Sequence, residues 1–304
     1  MKEYTAEVLN VPAQAGVAGK SWTAILADLI KVRLTALVLM TMMAGFYLGW
    51  RGAPDFALMF NTLAATALLA SGASALNQLL EREYDAQMRR TQDRPLPSGR
   101  LQATTVMLLG GVFSAAGLVY LALAVNLVTC VIGALTLAGY LFIYTPLKRI
   151  TWLNTTVGAV PGALPALMGW TAARGEINAA GWALFAIVAF WQIPHFMAIA
   201  WMYREDYARA GFKMLPVVEP DGGRTGEQSV SYTVALVVAG VTPFLLKLAG
   251  PVYLAGAIIL GLGYLGCAIR FSRERTLKRA RVLFLASIVY LPLLLGLMVW
   301  DKAN

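Results

Sequence analysis

Oxygen-bearing side chains recur every four residues in the segment after the second long apolar stretch of this chain. Asn77, Glu81 and Asp85 would stack on one face of a helix that continued through them. Five arginines follow or interleave, at positions 82, 89, 90, 94 and 100. Mg²⁺ prefers hard oxygen ligands, and guanidinium groups bind phosphate oxygens in pairs. The spacing therefore predicts a site for Mg²⁺ and a diphosphate.

The same segment ends in a turn rich in proline and glycine. Pro95, Pro97 and Gly99 would reverse the chain between Arg94 and Arg100. We expect the turn to direct both arginines toward the same place. The alternative is a solvated loop whose charges only fix the topology, although topology alone does not require acidic groups in helical register.

A second charged segment follows the sixth apolar stretch. If its helix ran on, Tyr203 and Tyr207 would share a face, with Glu205 and Asp206 turned elsewhere. At least one of these two carboxylates could ligate a metal, and Lys213 adds a cation to the segment. The alternative is a helix end with ordinary solvated charges.

Three further side chains could contact a ligand. Tyr144 and Lys148 are four residues apart and could face the same diphosphate, with Arg149 next to them. His195 is the only histidine and lies inside an apolar run. Its possible roles are axial ligand to a haem iron, proton acceptor or simple polar contact; a hydrogen-bonded core residue is the alternative.

Composition places these residues in an integral membrane protein. Of the 304 residues, 59% are hydrophobic and 13% are charged, and the mean hydropathy is +0.65. A soluble domain carries about 25% charged residues. Apolar windows predict an all-α protein with about nine transmembrane helices around a central cavity. The predicted spans are residues 30–50, 55–79, 104–124, 127–146, 153–173, 180–202, 230–249, 251–270 and 281–300.

The distribution of basic residues predicts the orientation. With the N-terminus in the cytoplasm, 21 of the 25 Lys and Arg residues fall on the cytoplasmic side. This asymmetry follows the positive-inside rule for an odd number of spans. The net charge of +9 is therefore explained by topology, and nucleic-acid binding is excluded as its cause.

The chain reads as one membrane domain. We assign residues 1–24 to a cytoplasmic tail and 25–304 to the domain, whose loops 80–103 and 203–229 are long and charged, as functional loops often are. The first 20 residues show neither an apolar signal-peptide core nor an Arg-rich transit pattern, which favours a bacterial inner membrane. Cys130 and Cys267 are interpreted as packing residues.

The polar segments resemble those of a known superfamily. N-x-x-x-E-x-x-x-D followed by M-x-R-T-x-x-R-P-x-P-x-G-R is similar to the first signature of the UbiA-type intramembrane prenyltransferases. Residues 144–149, YTPLKR, resemble a second element of that superfamily. The run WQIPHFMAIAWMYREDYARAGFKMLPVV is similar to the haem O synthase (protohaem IX farnesyltransferase) branch. In much of the superfamily the second loop has D-x-x-x-D, and those two positions fall on Tyr203 and Tyr207 here, so either Glu205 or Asp206 could replace them.

The resemblance implies a farnesyl transfer. Asn77, Glu81 and Asp85, with Asp206 or Glu205, would hold Mg²⁺ against the diphosphate of farnesyl diphosphate. The charge on the leaving group would be neutralised by Arg94, Lys148 and Arg149. The 2-vinyl group of haem B would attack the allylic cation, and water would complete the product. His195 would help to seat the haem. The bilayer surrounds the domain, and a haem A synthase or terminal oxidase assembly is a further implied partner.

The same residues are consistent with three rival functions. The nearest is the same fold with another acceptor, such as a quinone precursor. A transporter should place ionisable groups near the middle of the membrane, whereas here they gather at one face. A haem chaperone would bind haem without consuming farnesyl diphosphate.

Overall fold

The regular structure is helical throughout the residues that the computed structural model describes, 20–53 and 55–303. A single isolated antiparallel bridge joins Ala249 and Lys302. The α-helices are α1 (Trp22–Leu29), α2 (Val32–Gly49), α3 (Phe56–Asp85), α4 (Ala103–Ala124), α5 (Leu127–Ala138), α6 (Thr145–Ile150), α7 (Asn154–Arg174), α8 (Ala179–Met202), α9 (Arg204–Arg209), α10 (Leu215–Val218), α11 (Gly223–Leu245), α12 (Pro251–Arg273) and α13 (Leu277–Trp300). A π-helical stretch, Gly139–Tyr144, joins α5 to α6.

Eight of the described helices are long and apolar enough to cross a membrane, counting the stretch Leu127–Ile150 as one. They match eight of the nine predicted spans. The remaining span, 153–173, corresponds to α7, which is 21 residues long but contains Pro161 and Pro165 and is not among the eight. The all-helical membrane fold is confirmed, whereas the nine-span count and the cytoplasmic N-terminus stay predictions.

The low hydropathy of α7 follows from its position in the bundle. It packs against α2, α5 and α8, and most of its side chains are buried, so it needs little apolar surface of its own. Small residues allow the close approach: a Cβ on Gly169 would lie 1.8 Å from the carbonyl oxygen of Met42, and one on Gly45 would lie 2.1 Å from that of Ala166. Glycine at these crossings lets α2 and α7 touch through their backbones.

The two long loops meet at one end of the bundle. In the first, α3 continues to Asp85, as the spacing required, and irregular turns then lead to α4. In the second, α8 ends at Met202 and two short helices follow. Met88 of the first loop belongs to one apolar cluster with Tyr207 and Phe212 of the second. The loops therefore form a shared cap over the bundle.

The predicted domain limits are only partly covered. Residues 1–19 of the predicted tail lie outside the described part of the chain. Helix α1 begins at Trp22, two residues before the tail was expected to end. Its Ser21 accepts a hydrogen bond from Ala24 N and caps the helix.

Candidate active site

The face of α3 predicted from the four-residue spacing lines a cavity under the loop cap. Asn77, Glu81 and Asp85 are all buried, with 1%, 5% and 0% of their surface exposed. All three side chains line a cavity of about 340 Å³. A carboxylate is costly to bury unless it is paired, so these side chains do not belong to an ordinary solvated loop.

Each of these three side chains contacts a different cation. Lys31 Nζ donates to Asn77 Oδ1 at 2.8 Å, and Lys148 Nζ donates to Glu81 Oε1 at 2.7 Å. The guanidinium of Arg94 donates to Asp85 Oδ2 at 2.6 Å. The three cations come from the α1–α2 junction, α6 and the first loop. The polar end of the cavity therefore carries more positive than negative charge, which suits a polyanionic ligand.

A divalent cation fits this arrangement because one carboxylate oxygen has no partner. Asp85 Oδ1 is buried and makes no hydrogen bond, while Oδ2 is held by Arg94. A buried carboxylate oxygen left unsatisfied costs free energy that a metal ion would recover. Asn77 and Glu81 add oxygen donors one and two turns before it. Mg²⁺ is usually bound by only one or two carboxylates together with phosphate oxygens and water.

The second loop does not complete the metal site. Within the described residues there is no cluster of three or more His, Cys, Asp or Glu side chains suited to a metal. Asp206 is paired with Arg209 on the short helix α9, and Glu205 is exposed. Neither carboxylate lines the cavity. An unbroken helix would already turn both carboxylates away from the face that carries Tyr207, and the interruption at Tyr203 before α9 does not bring them back to the cavity.

Arg90 occupies the side of the site where the second loop was expected to place a carboxylate. Its Nη2 donates to the hydroxyl of Tyr207 at 3.0 Å. Its guanidinium lies over the rings of Tyr203 and Tyr207, 4.9 and 5.3 Å from their centroids, within the range of a cation–π contact. Tyr203 and Tyr207 thus both contact Arg90. Arg90 lines the cavity, and Tyr203 does not.

The predicted site residues divide into two groups. Eight line the cavity: Asn77, Glu81, Asp85, Arg94, Tyr144, Lys148, His195 and Tyr207. Six do not: Arg100, Arg149, Tyr203, Glu205, Asp206 and Lys213.

The basic residues outside the lining have other partners. Arg100 binds Asp93, and Lys20 also contacts Asp93, so these cations lower the pKa of that carboxyl. Arg149 is exposed and contacts the hydroxyl of Tyr84. The side chain of Lys213 is exposed, while its backbone N–H donates to Lys148 O at 2.6 Å. Lys213 therefore supports the segment that carries Lys148 without reaching the cavity.

Arg90, Lys31 and Tyr140 are among the cavity residues that sequence reasoning missed. Arg90 could not be distinguished from the other arginines of its loop, and Lys31 was counted only toward the topology. Lys31 has a left-handed backbone conformation (φ 49°) at the start of α2. A polar residue between two apolar helices was the only available signal for it.

A π-helical turn positions the aromatic side chains beside Lys148. Thr145 donates from Oγ1 to Tyr140 O, five residues earlier, at 2.8 Å. Tyr140 and Tyr144 stack with their centroids 5.8 Å apart, and Lys148 Nζ lies 4.6 Å from the Tyr144 ring centroid. Single π turns inside α-helices occur frequently at functional sites. Here the turn brings two aromatic rings and a lysine to the same part of the cavity.

The opposite end of the cavity is apolar. It is lined by side chains of α2, α7, α8 and α13, with His195 as the ionisable group among them. Leu34, Leu37 and Ile288 of this lining are also about half exposed, so the cavity opens on the side between α2 and α13. The site therefore combines a cationic, oxygen-lined end with a long apolar compartment. This arrangement suits an amphiphile with a phosphorylated head and a hydrocarbon chain.

Replacing Gly158 by Ala is expected to destabilise the site. The new Cβ would lie 2.4 Å from the Tyr144 ring, and Tyr144 would have to move away from Lys148. Overpacking of this kind costs about 1–3 kcal/mol. We expect a lower melting temperature in detergent than for Gly266→Ala, a helical glycine with open space around its Cβ position. Equal melting temperatures would show that the contact between Gly158 and Tyr144 is not tight.

The sequence matches the UbiA prenyltransferase family over residues 38–291. It is 49% identical over 284 residues to a protein of Solibacter usitatus named protoheme IX farnesyltransferase, covering 90% of this chain and 97% of the relative. It is 46% identical over 273 residues to a protein of the same name from Salinibacter ruber, covering 90% and 96%. Its fold is similar to a UbiA homolog from Archaeoglobus fulgidus bound to GPP and Mg²⁺, with a TM-score of 0.66, 17% identity and coverage of 90% and 99%.

Proposed function

This chain belongs to the UbiA prenyltransferase family, and we propose that it transfers the farnesyl group of farnesyl diphosphate to the 2-vinyl group of haem B. With the addition of water, the products are haem O and diphosphate. The relatives named protoheme IX farnesyltransferase support the choice of acceptor. The observation that carries the proposal is the buried Asn77–Glu81–Asp85 face at the cationic end of an otherwise apolar cavity.

The polar end suits binding and neutralisation of the diphosphate. Lys31, Arg94 and Lys148 already surround the oxygen-bearing face and would contact phosphate oxygens directly. Asn77, Glu81 and Asp85 would hold Mg²⁺, which supplies charge neutralisation to the leaving group when bound. Cations held in a site from which water is excluded stabilise developing negative charge far better than cations in water. These groups would therefore favour breaking of the bond between farnesyl C1 and oxygen.

The aromatic and apolar residues suit the cationic half of the reaction. Tyr140 and Tyr144 lie next to Lys148, where the allylic carbon would be exposed as its bond to oxygen breaks. Aromatic faces stabilise a nearby cation. The apolar compartment would hold the farnesyl chain and exclude water until the vinyl carbon has formed its bond to farnesyl C1. Water then adds to the porphyrin side chain and releases one proton.

The setting is a multi-pass membrane protein, as its apolar helices and family indicate. We propose that it resides in a bacterial inner membrane with the loop cap in the cytoplasm, as the distribution of basic residues predicts. This orientation would present the cationic end of the cavity to cytoplasmic farnesyl diphosphate. The opening between α2 and α13 would give an apolar acceptor access from the bilayer.

The proposal is tested by identifying the product. Purified protein in liposomes is incubated with haem B, farnesyl diphosphate and Mg²⁺. The porphyrins are then separated by chromatography and identified by their mass. We expect haem B to gain one farnesyl group and one hydroxyl group, and this product to disappear when EDTA removes the metal. A parallel incubation supplies an aromatic quinone precursor instead of haem. Farnesylation of that acceptor alone would keep the prenyltransferase assignment and overturn haem B as the substrate.

A further inference from the structure

His195 lies at the apolar end of the cavity, and aromatic rings pack closely around its imidazole. The ring of Trp191 stacks on it at 4.9 Å between centroids, and the ring of Phe284 lies 5.1 Å away at 30°. Trp191 is on α8 with His195 and Phe284 is on α13, and the ring of Phe196 lies 5.5 Å away at 64°. These three rings hold the imidazole plane in a fixed orientation. An imidazole binds a metal through a nitrogen on its edge, in the plane of the ring.

The hydrogen bonds around Ser287 determine which nitrogen carries the proton. His195 Nδ1 lies 2.6 Å from Ser287 Oγ, and Ser287 Oγ lies 2.5 Å from the carbonyl oxygen of Phe284. A carbonyl can only accept, so the single hydroxyl proton of Ser287 must point to it. Ser287 Oγ therefore accepts from Nδ1, and the proton of a neutral imidazole is on Nδ1. Nε2 retains its lone pair.

The serine itself is well fixed. Ser287 is buried, and its carbonyl oxygen accepts a hydrogen bond from Trp191 Nε1 at 2.8 Å. Ser287 thus binds two neighbouring rings. Its carbonyl oxygen holds the indole of Trp191, and its hydroxyl holds Nδ1 of His195. Among the hydrogen bonds of the described residues, the imidazole takes part only in the one at Nδ1. Nε2 is therefore the nitrogen available to a molecule in the cavity.

We propose that His195 Nε2 is the axial ligand of the porphyrin iron and that Ser287 is its positioning residue. This inference rests on the proposed function, since it needs an iron porphyrin in the cavity. Neutral imidazole is a common haem ligand, and an acceptor on its other nitrogen fixes the tautomer and raises the basicity of the ligand. No other histidine exists in the chain to take this role.

The position of His195 separates the iron from the diphosphate. It lies about two turns before the end of α8 at Met202, roughly 10 Å along the helix axis from the loop cap. Asp85 lies at the end of α3, next to that cap. The iron and the metal-bound diphosphate therefore occupy opposite ends of one cavity. The edge of the porphyrin, which carries the vinyl groups, is the part directed toward the allylic carbon.

The test compares two porphyrins that differ only in the iron. Haem B and iron-free protoporphyrin IX are titrated into wild-type protein, His195→Ala and Ser287→Ala in nanodiscs. For His195→Ala we expect the Kd for haem to rise more than tenfold and the Kd for protoporphyrin IX to stay unchanged. For Ser287→Ala we expect a rise of about tenfold for haem alone. Ser229→Ala is the matched control, since Ser229 is also buried, donates to the carbonyl of Thr225 and lies outside the cavity lining.

A spectroscopic measurement separates ligation from packing. Resonance Raman of the ferrous complex should show an iron–imidazole stretching band that is lost in His195→Ala, returns with added imidazole and shifts to lower frequency in Ser287→Ala. An unchanged band in His195→Ala, or equal weakening of both porphyrins, would overturn the inference. If wild-type protein still forms the farnesylated product in that case, the proposed function stands. If wild-type protein binds neither porphyrin, the proposed function fails with it.

Discussion

Replacing Asp85 by Asn is expected to lower the rate of farnesyl transfer by on the order of 10²–10³-fold. The substitution keeps the size of the side chain and removes the negative charge of the buried Oδ1, the oxygen that has no protein partner. Without that charge the metal would bind weakly, and the diphosphate would leave without its main neutralising partner. We therefore expect the Mg²⁺ concentration for half-maximal activity to rise as well. Initial rates of porphyrin product across a Mg²⁺ titration measure both effects.

Glu83 offers the matched control for this substitution. It lies two residues earlier on α3, but its side chain is 74% exposed and contacts only Arg82 among the salt bridges of the described residues. Glu83→Gln removes the same charge from the same helix, so its rate and Mg²⁺ dependence should equal those of the wild type. If Asp85→Asn retained wild-type activity with an unchanged Mg²⁺ titration, the metal assignment to this face of α3 would be wrong.

Replacing Lys148 by Met is expected to cost both stability and activity. Lys148 and Glu81 are 13% and 6% exposed, so the substitution leaves a carboxylate buried without its partner. Breaking a buried pair in this way costs about 3–5 kcal/mol. It also removes one of the cations that would contact the diphosphate, for which we expect a rate loss on the order of 10²-fold. Melting temperature and initial rate are measured on the same preparation, with the exposed Lys278→Met as control.

A double substitution separates the two effects of Lys148. In Glu81→Gln/Lys148→Met no buried charge is left unpaired, so we expect most of the lost melting temperature to return. Turnover should stay low for two reasons. The diphosphate no longer contacts the Lys148 ammonium group, and the metal is offered a neutral amide oxygen in place of the Glu81 carboxylate. Recovery of turnover together with stability would contradict the assignment, since it would mean that the pair only holds the helices together.

The helical membrane fold and one half of the site could be predicted from the sequence. The spacing of Asn77, Glu81 and Asp85 is a local pattern, and it is realised because α3 runs on without a break to Asp85. The carboxylates of the second loop could not be placed by the same reasoning. Glu205 and Asp206 do not share the face that carries Tyr207 into the cavity, and the interruption of the helix at Tyr203 leaves them outside it.

The other side-chain pairs in the site join segments that are far apart in the sequence. Lys31 reaches Asn77 across 46 residues of sequence, and Arg90 reaches Tyr207 across 117. Ser287 and His195 are 92 residues apart. Nothing in the local sequence pairs these side chains, because their proximity follows from the way α2, α3, α8 and α13 pack. Predicting them requires the bundle itself.

We infer that one cavity binds both substrates, with the diphosphate at its cationic end and the porphyrin at its apolar end. The most direct test is an experimental structure of the protein with haem B, Mg²⁺ and a non-reactive farnesyl thiodiphosphate. We expect a metal ion between Asp85 Oδ1 and the diphosphate, with Lys148 and Arg94 contacting phosphate oxygens and the porphyrin lying toward His195. A diphosphate bound outside the cavity, or a metal held by Glu205 and Asp206 instead, would contradict it.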